Sequence, residues 1–204
     1  MATSAGYPLH RPELHDALRQ GDVLLLRAMA ESHATLPTGR KIICTGEGSE
    51  TVYRLRTGWL ARTRKLDDGR RQTLTIFLPS DLVGVKSMFL REQPDSIECL
   101  SGVTVNAIDH EQLRRLVENN GHIALRVIFQ LGEDERRLHN WVIGLGRGNA
   151  EERIATMLLD FRGRLHRLGL LNGGDSYRLP MTQQDMGDYL GLTVVHVTDL
   201  RVSF

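Results

Sequence analysis

Apolar positions along this chain change their period as it proceeds, and each change marks a new kind of element. Up to about Ser32 the spacing is helical. Pro12 and Glu13 open a segment with Leu14, Ala17 and Leu18 on one face, Gly21 breaks it, and Val23–Met29 forms a second short helix. From Thr38 to about Asp109, runs of β-branched and aromatic residues are separated by Gly, Pro and Asp. This predicts strands at Lys41–Cys44, Val52–Leu55, Trp59–Arg64, Gln72–Phe77, Ile97–Leu100 and Val103–Ile108. Asp67-Asp68-Gly69 lies between two of them and signals a hairpin, because glycine takes the positive φ such turns need. Many short strands at regular spacing point to a barrel, roll or sandwich rather than βαβ units.

The period then returns to helical from about Gly121 to Leu145. Ile128, Glu135 and Val142 lie seven apart, and Leu131, Leu138 and Leu145 follow each by three, an a/d seam with one polar a position. Two readings stay open: the stripe packs against a second copy, or it is buried on the chain's own domain. Gly144-x-Gly146-x-Gly148 ends this helix as a hinge. It follows a helix, whereas a dinucleotide-binding glycine fingerprint follows a strand. Asn149-x-x-Glu152 has capping-box spacing, and Ile154, Met157, Leu158, Phe161, Leu165 and Leu168 give the next helix its apolar face. Asn172-Gly173-Gly174-Asp175 reads as a turn and Tyr177–Leu179 as a short extended piece.

The last segment carries the most information. Thr182 can cap a helix starting at Gln183, with Met186 and Leu190 facing inward. Gly191 permits a tight turn, Leu192 packs beneath it, and Thr193 caps a second helix with Val194 and Val197. Counted from Gln183, a small residue stands at the fifth position, glycine at the ninth and a β-branched residue at the fifteenth. Two closely crossed helices need the first, the turn the second and the shared core the third, so this is helix-turn-helix spacing. An ordinary αα-corner is the competing reading.

Composition adds little. The chain has 204 residues, 41% of them apolar and 25% charged, and a net charge of +1. That neither requires nor excludes a nucleic-acid partner, so any basic surface must be local. The two cysteines, Cys44 and Cys99, are far apart and form no disulfide framework or Cys-x-x-Cys metal signature. No apolar run reaches the ~20 residues of a membrane span, and no secretory signal is evident, so a cytoplasmic protein with no membrane association is expected. No Ser/His/Asp order or metal spacing suggests catalysis, and Asp67-Asp68 fits a turn better than an acid/base pair. An enzyme is not expected.

Met181-Thr-Gln-Gln-Asp-Met-Gly-Asp-Tyr-Leu-Gly-Leu-Thr193 resembles the helix-turn-helix of the Crp/Fnr family of transcription regulators. Gly39, Gly58, Asp68-Gly69-Arg70-Arg71-Gln72 and Pro79-Ser80-Asp81-Leu82-Val83-Gly84 resemble that family's β-roll turns. The likeness runs from about Leu36 to Val197. It implies an α+β fold: an effector-sensing β-roll (a double-stranded β-helix, jelly-roll or cupin-like) over 1–118, a dimerisation helix and hinge over 119–147, and an incomplete winged helix-turn-helix over 148–204. It further implies a homodimer along Ile128, Leu131, Glu135, Leu138, Val142 and Leu145. Its partner would be double-stranded DNA at a promoter operator, with RNA polymerase a partner where members activate. Thr182, Gln183 and Thr193 would lie near DNA phosphates, and Val195, His196 and Thr198 would face the major groove.

The chain also departs from the family pattern. Asp199 stands where the recognition helix usually carries arginine, and a carboxylate there repels phosphate. Phe204 ends the sequence before the remaining recognition helix and wing, which suggests a truncated or frame-shifted coding sequence. The rival reading is therefore a DNA-binding-defective relative that acts by pairing with intact partners. In the roll, Gly84-Val85-Lys86-Ser87 and Asp95-Ser96 replace the Gly-Glu and Arg-Ser/Thr of cyclic-nucleotide readers. Cyclic AMP or GMP is not expected, since an aspartate would face the ligand phosphate. An iron–sulfur cluster needing four cysteines is excluded by the count of two. Haem is conceivable with eight histidines, none tellingly spaced. No cofactor is predicted, and Cys44 and Cys99 read as inert thiols before redox ones.

Overall fold

The computed structural model describes residues 13–171 and 176–201. Helix α1 (Glu13–Ala28) is followed by eight short strands: β1 (His33–Leu36), β2 (Lys41–Ile43), β3 (Thr51–Thr57), β4 (Leu60–Lys65), β5 (Arg71–Phe77), β6 (Leu82–Val83), β7 (Ser96–Cys99) and β8 (Val103–Asp109). A 3-10 turn, Val85–Phe89, separates β6 from β7. Helices α2 (His110–Asn119), α3 (Gly121–Arg147), α4 (Ala150–Arg167), α5 (Gln183–Leu190) and α6 (Val194–Arg201) follow among the described residues. The strands form two four-stranded antiparallel sheets, ordered β1-β8-β3-β6 and β2-β7-β4-β5. The hairpin expected at Asp67–Gly69 joins β4 to β5, closed by the Leu66 amide on the Arg70 carbonyl at 2.8 Å.

Alternation along the strands sorts the apolar side chains into layers. Ile43, Leu55, Leu60, Phe77, Val83, Ile97, Val103 and Val105 fill the space between the sheets. Val52, Leu82 and Ile108 point out of the first sheet and are covered by Leu25 of α1, Met29 just after it, Leu113 of α2, and Ile123 and Val127 of α3. Ala61 and Ile76 point out of the second sheet. With Trp59 and Leu78 they are covered by Ile154, Met157, Phe161 and Leu165 of α4, Met186 and Leu190 of α5, and Val197 of α6. The order of layers is thus α1–α3, sheet, sheet, α4–α6.

Several sequence expectations change. The N-terminal segment is one helix rather than two, although Pro12 itself lies outside the described residues. Gly21 does not break the helix but lets it approach α3: a β-carbon there would sit 2.3 Å from the His122 carbonyl oxygen and 2.9 Å from Cβ of Arg126. Helix α3 continues through Gly144 and Gly146, so only Gly148 interrupts it, as its C-cap. The piece read as extended, Tyr177–Leu179, follows a single bridge residue, Ser176, without itself joining a sheet, and the Tyr177 hydroxyl donates to the Leu158 carbonyl at 2.9 Å. The turn expected at 172–175 lies outside the described residues. Strands β1 and β6 escaped the sequence reading, the first because it is mostly exposed without alternation, the second because it is two residues long.

Overpacking a closed helix contact costs about 1–3 kcal/mol, whereas alanine for glycine in an unhindered helix gains up to about 1 kcal/mol. Gly21→Ala is therefore expected to lower the thermal midpoint. Gly163→Ala in α4, where the nearest atom to a new Cβ is the mobile Arg167 guanidinium at 3.7 Å, is expected to hold or raise it. Calorimetry on the two variants checks the opposite signs.

Candidate nucleic-acid interface and sensor

The reading unit starts from its caps. The Thr182 hydroxyl accepts from the Asp185 amide at 3.1 Å, and the Asp185 carboxylate accepts from the Thr182 amide at 2.9 Å, a capping box that fixes the start of α5. Gly191 ends α5 at φ +64°, a left-handed turn that a side chain would strain. The Leu192 amide returns to the Gly187 carbonyl at 3.1 Å. A β-carbon at Gly187 would lie 2.6 Å from the Leu192 carbonyl oxygen, so the small residue at this position is required by contact. Met186, Leu190 and Val197 are buried together, which joins the two helices through the spacing read from the sequence.

Thr193, Val195, His196 and Thr198 all lie exposed on or before α6, Val195 being 67% exposed. The Thr193 hydroxyl accepts from the His196 amide at 3.3 Å, and the Thr198 hydroxyl donates to the Val194 carbonyl at 2.8 Å. Thr182 is exposed and Gln183 half-buried at the start of α5. The side chain of Asp199 lies outside the described residues.

On α3, Ile123, Val127 and Gln130 face the body of the protein. The other side carries Ile128, Leu131, Leu138 and Val142, which are 63%, 45%, 49% and 54% exposed. Glu135 is exposed between them and Leu145 is half-buried. Among the described residues, none covers the exposed part of this stripe.

Two polar centres, unrecognised in the sequence, hold the reading unit to the rest. The first is Asp81, 6% exposed. It accepts from the Leu78 amide at 2.9 Å, from Arg164 of α4 at 2.6 Å and from Arg137 of α3 at 3.3 Å. Arg164 also donates to the Ile76 carbonyl at 3.1 Å. Burial pushes the Asp81 carboxyl up, but Arg137 and Arg164 outweigh it and hold it below the usual range. On the same α3 face, burial and neighbouring Asp81 push the Asp134 carboxyl up. The second centre is Arg71 of β5, bound to Glu98 of β7 and to Asp185 and Asp188 of α5. Both residues stand in stretches that read only as roll turns, where sequence gives no sign of a long-range ionic partner.

The stretch of the roll around residues 84–96 is also ionic. Asp95 is 3% exposed. Its carboxylate takes Arg64 at 2.7 Å and also Lys86. Those cations hold its pKa down against burial. Val85 is buried in the apolar layer under α3, Ser96 bonds the Thr45 amide at 3.1 Å, and Arg62 stacks 5.1 Å above the Phe77 ring. Arg64 and Lys86 already spend donors on this carboxylate, so a nucleotide phosphate would have to compete with Asp95 for them. Cys99 is buried in the roll core, where burial raises its thiol pKa; Cys44 is half-buried. Among the described residues, no group of three or more His, Cys, Asp or Glu is placed to hold a metal ion, and no helix is long and apolar enough to cross a membrane.

A sensor-like roll, a long helix with an exposed apolar stripe and a helix-turn-helix with an open second helix together define a DNA-binding regulator. The comparisons agree. Residues 33–120 match the cyclic nucleotide-binding domain model and 152–200 the Crp-like helix-turn-helix domain model. The chain is 30% identical over 165 residues to the nitrogen fixation regulation protein FixK of Rhizobium meliloti, covering 81% of this chain and 71% of that protein. It is 28% identical over 188 residues to the transcriptional activator protein Anr of Pseudomonas protegens, covering 92% and 76%. The solved structure of FixK2 from Bradyrhizobium japonicum superposes with a TM-score of 0.75 at 27% identity, covering 84% of this chain and 83% of that one. The chain belongs to the Crp/Fnr family: it is a DNA-binding transcription regulator with a cyclic-nucleotide-binding-like domain.

Removing one partner of a buried ion pair costs about 3–5 kcal/mol, so Asp81→Asn, which among the described residues leaves Arg137 only Asp134 at 3.3 Å and Arg164 only Asp160 at 3.5 Å, is expected to destabilise strongly at neutral pH. The folded-state pKa of Asp81 is depressed. Its ionic contribution is therefore present above the unfolded value of about 3.9 and is lost as pH falls through the lower folded value. The stability gap between wild type and variant, measured by chemical denaturation, is expected to be wide at pH 7 and to narrow below about pH 4. A gap constant with pH would show that Asp81 acts through shape alone.

Proposed function

We propose that this chain works as a homodimer paired along α3 and reads duplex DNA with the outward face of α6, in response to a signal other than a cyclic nucleotide. The proposed division is a sensing roll over 1–118, a dimerisation helix and hinge over 119–147 and a reading unit from 148 onward. The observation that carries the reading is that both working surfaces are bare. Ile128, Leu131, Leu138 and Val142 form an apolar stripe that the described residues leave exposed, and Thr193, Val195, His196 and Thr198 are exposed on the other helical layer. An apolar seam of that length is stabilised by burial against a second copy. Two-fold pairing then presents two α6 helices to successive major grooves. Thr182, Gln183 and Thr193 are assigned to phosphate contacts, and Val195, His196 and Thr198 to base edges, where valine can meet a thymine methyl. The ion triad at Asp95 supports the exclusion of cyclic AMP and GMP.

The rival reading, a partner that pairs without binding DNA, draws on Asp199. Equilibrium sedimentation and DNA binding separate the two. Wild type is expected to sediment as a dimer and Val142→Asp as a monomer with loss of operator binding. Affinity for duplex is expected to fall with salt, with a logarithmic slope of about −0.9 per neutralised phosphate. A dimer with no salt-dependent duplex binding would favour the rival. Cyclic AMP at about 1 mM is expected to leave the thermal midpoint unmoved, since any ligand bound well below that concentration must stabilise the folded state; a rise would overturn the assignment at Asp95.

A further inference from the structure

Helix α5 is held to the roll by one guanidinium among three carboxylates. Arg71 Nε donates to Asp188 at 2.7 Å, Nη1 to Glu98 at 2.6 Å and Nη2 to Asp185 at 2.5 Å. The neighbouring Gln72 side chain donates to the Asp188 carbonyl at 2.6 Å, and Gln184 braces the Asp188 carboxylate at 2.6 Å. Arg71 keeps 34% of its side chain exposed, whereas Asp188, Asp185 and Glu98 keep 9%, 16% and 14%. The arrangement is asymmetric. With Arg71 in place, two acids of the reading unit are drawn to the roll. Without it, Asp185 and Asp188 face Glu98 with no cation between them, and like charges at this separation repel. The contact therefore changes sign with a single side chain.

The same contact leaves the reading face open. Thr193, Val195, His196 and Thr198 are exposed while Arg71 is engaged. A contact that blocked DNA would cover them. This one instead fixes the angle of the reading unit on the roll, and its far side is braced by the Trp141 indole N–H on the Tyr189 carbonyl at 3.0 Å. We infer that Arg71 is a positioning residue for DNA binding: through Asp185 and Asp188 it holds each helix-turn-helix at the orientation in which the two α6 helices of the dimer meet one operator. The inference rests on the reading of α6 as the DNA-reading helix. A head free to swing occupies the competent orientation only part of the time, and the apparent dissociation constant rises as the inverse of that fraction. Both heads must be competent together, so a modest loss of order in each multiplies.

The test has two arms on the full-length protein. In the first, spin labels at Thr35→Cys and Val195→Cys, in a Cys44→Ser background and diluted with unlabelled protein, report the distance from roll to α6 within one chain. Wild type is expected to give a narrow distribution and Arg71→Ala a broad one. In the second, the probe is duplex recovered by the wild-type protein from a random-sequence pool. Arg71→Ala is expected to bind it about tenfold more weakly. Arg71→Asp combined with Asp188→Arg, which returns a guanidinium to the cluster from the α5 side, is expected to recover most of the loss. Asp185 is left intact because it caps α5. If Arg71→Ala does not fold, Arg71→Gln, which keeps a donor without the charge, replaces it in both arms. An unchanged distance distribution, or affinity equal to or above that of wild type, overturns the inference. If wild type recovers no duplex, the reading of α6 fails and overturns the inference with it, and the distance arm then reports only whether Arg71 orders the helix-turn-helix on the roll.

Discussion

A β-roll with one apolar outer face can be covered by the helices that flank it in sequence, but this roll has two. Trp59, Ala61, Ile76 and Leu78 point away from the roll core on the side opposite α1–α3. Exposed, they would form the kind of contiguous apolar patch that drives association. The chain covers them with its own C-terminal helices, and the aromatic contacts there are close: Trp59 meets Phe161 edge-on at 5.0 Å and stacks on Tyr177 at 6.3 Å. The consequence is that sensing and reading parts share a core. In this fold the helix-turn-helix is the lid of the second sheet as well as the bearer of α6, so its orientation is set by packing against the roll before any DNA is present.

Packing alone is non-directional, and the polar contacts supply the angle. Asp81 and Arg71 do so differently. Asp81 is buried, and its carboxylate ties the loop before β6 to α3 and α4 at once. Burying such a group is costly unless every partner is present, so it behaves as a pin that is either fully made or disrupted. The backbone around it confirms how closely the site is determined: Ser80 holds φ at +76° without being glycine, a conformation that costs of the order of 1 kcal/mol and persists only where the surroundings enforce it. Arg126 donates to the Ser80 carbonyl at 2.9 Å and Arg54 to its hydroxyl at 3.1 Å. Arg71, by contrast, is one-third exposed and its pairs are screened by solvent. The reading unit is thus pinned at one edge and more weakly held at another.

Much of this was legible in the sequence where a local rule operates. The helix-turn-helix could be read because its two tight positions, Gly187 and Gly191, and its buried Val197 are separated by fixed numbers of residues, and local geometry fixes those numbers. The roll strands could be read from alternation and from the Asp-Gly turn. Gly21 was misread for an instructive reason: glycine signals a helix break and a helix crossing alike, and only the partner helix, some hundred residues away, tells them apart. Gly144 and Gly146 show the converse, helix interior positions that a break rule would exclude. Arg71 and Asp81 were invisible as contacts because ionic pairing across 27 to 117 residues leaves no periodic trace. The open question over the α3 stripe turned on the same kind of information, since exposure of Ile128 and Val142 depends on what packs beside them.

Strand β5 shows why such a fold can transmit a signal at all. It carries Phe77 into the roll core, beneath Arg62, and Ile76 into the layer shared with α4 and α5. Arg71 and Gln72 at its other end hold α5 directly, and the Ile76 carbonyl takes Arg164 of α4. A ligand in the roll that displaced Phe77 could not do so without moving the neighbouring peptide, and with it the seat of the reading unit. The magnitude of the demand is modest. Inverting a hundredfold preference between two orientations takes about 5.5 kcal/mol of differential binding. The Arg71 pairs are partly exposed and the Asp81 pin is buried, so an effector that weakened the first while leaving the second intact would pivot the reading unit rather than release it. Pivoting preserves the apolar cover over Trp59 and Ile76, whose exposure would cost about 1.5–3 kcal/mol for each side chain.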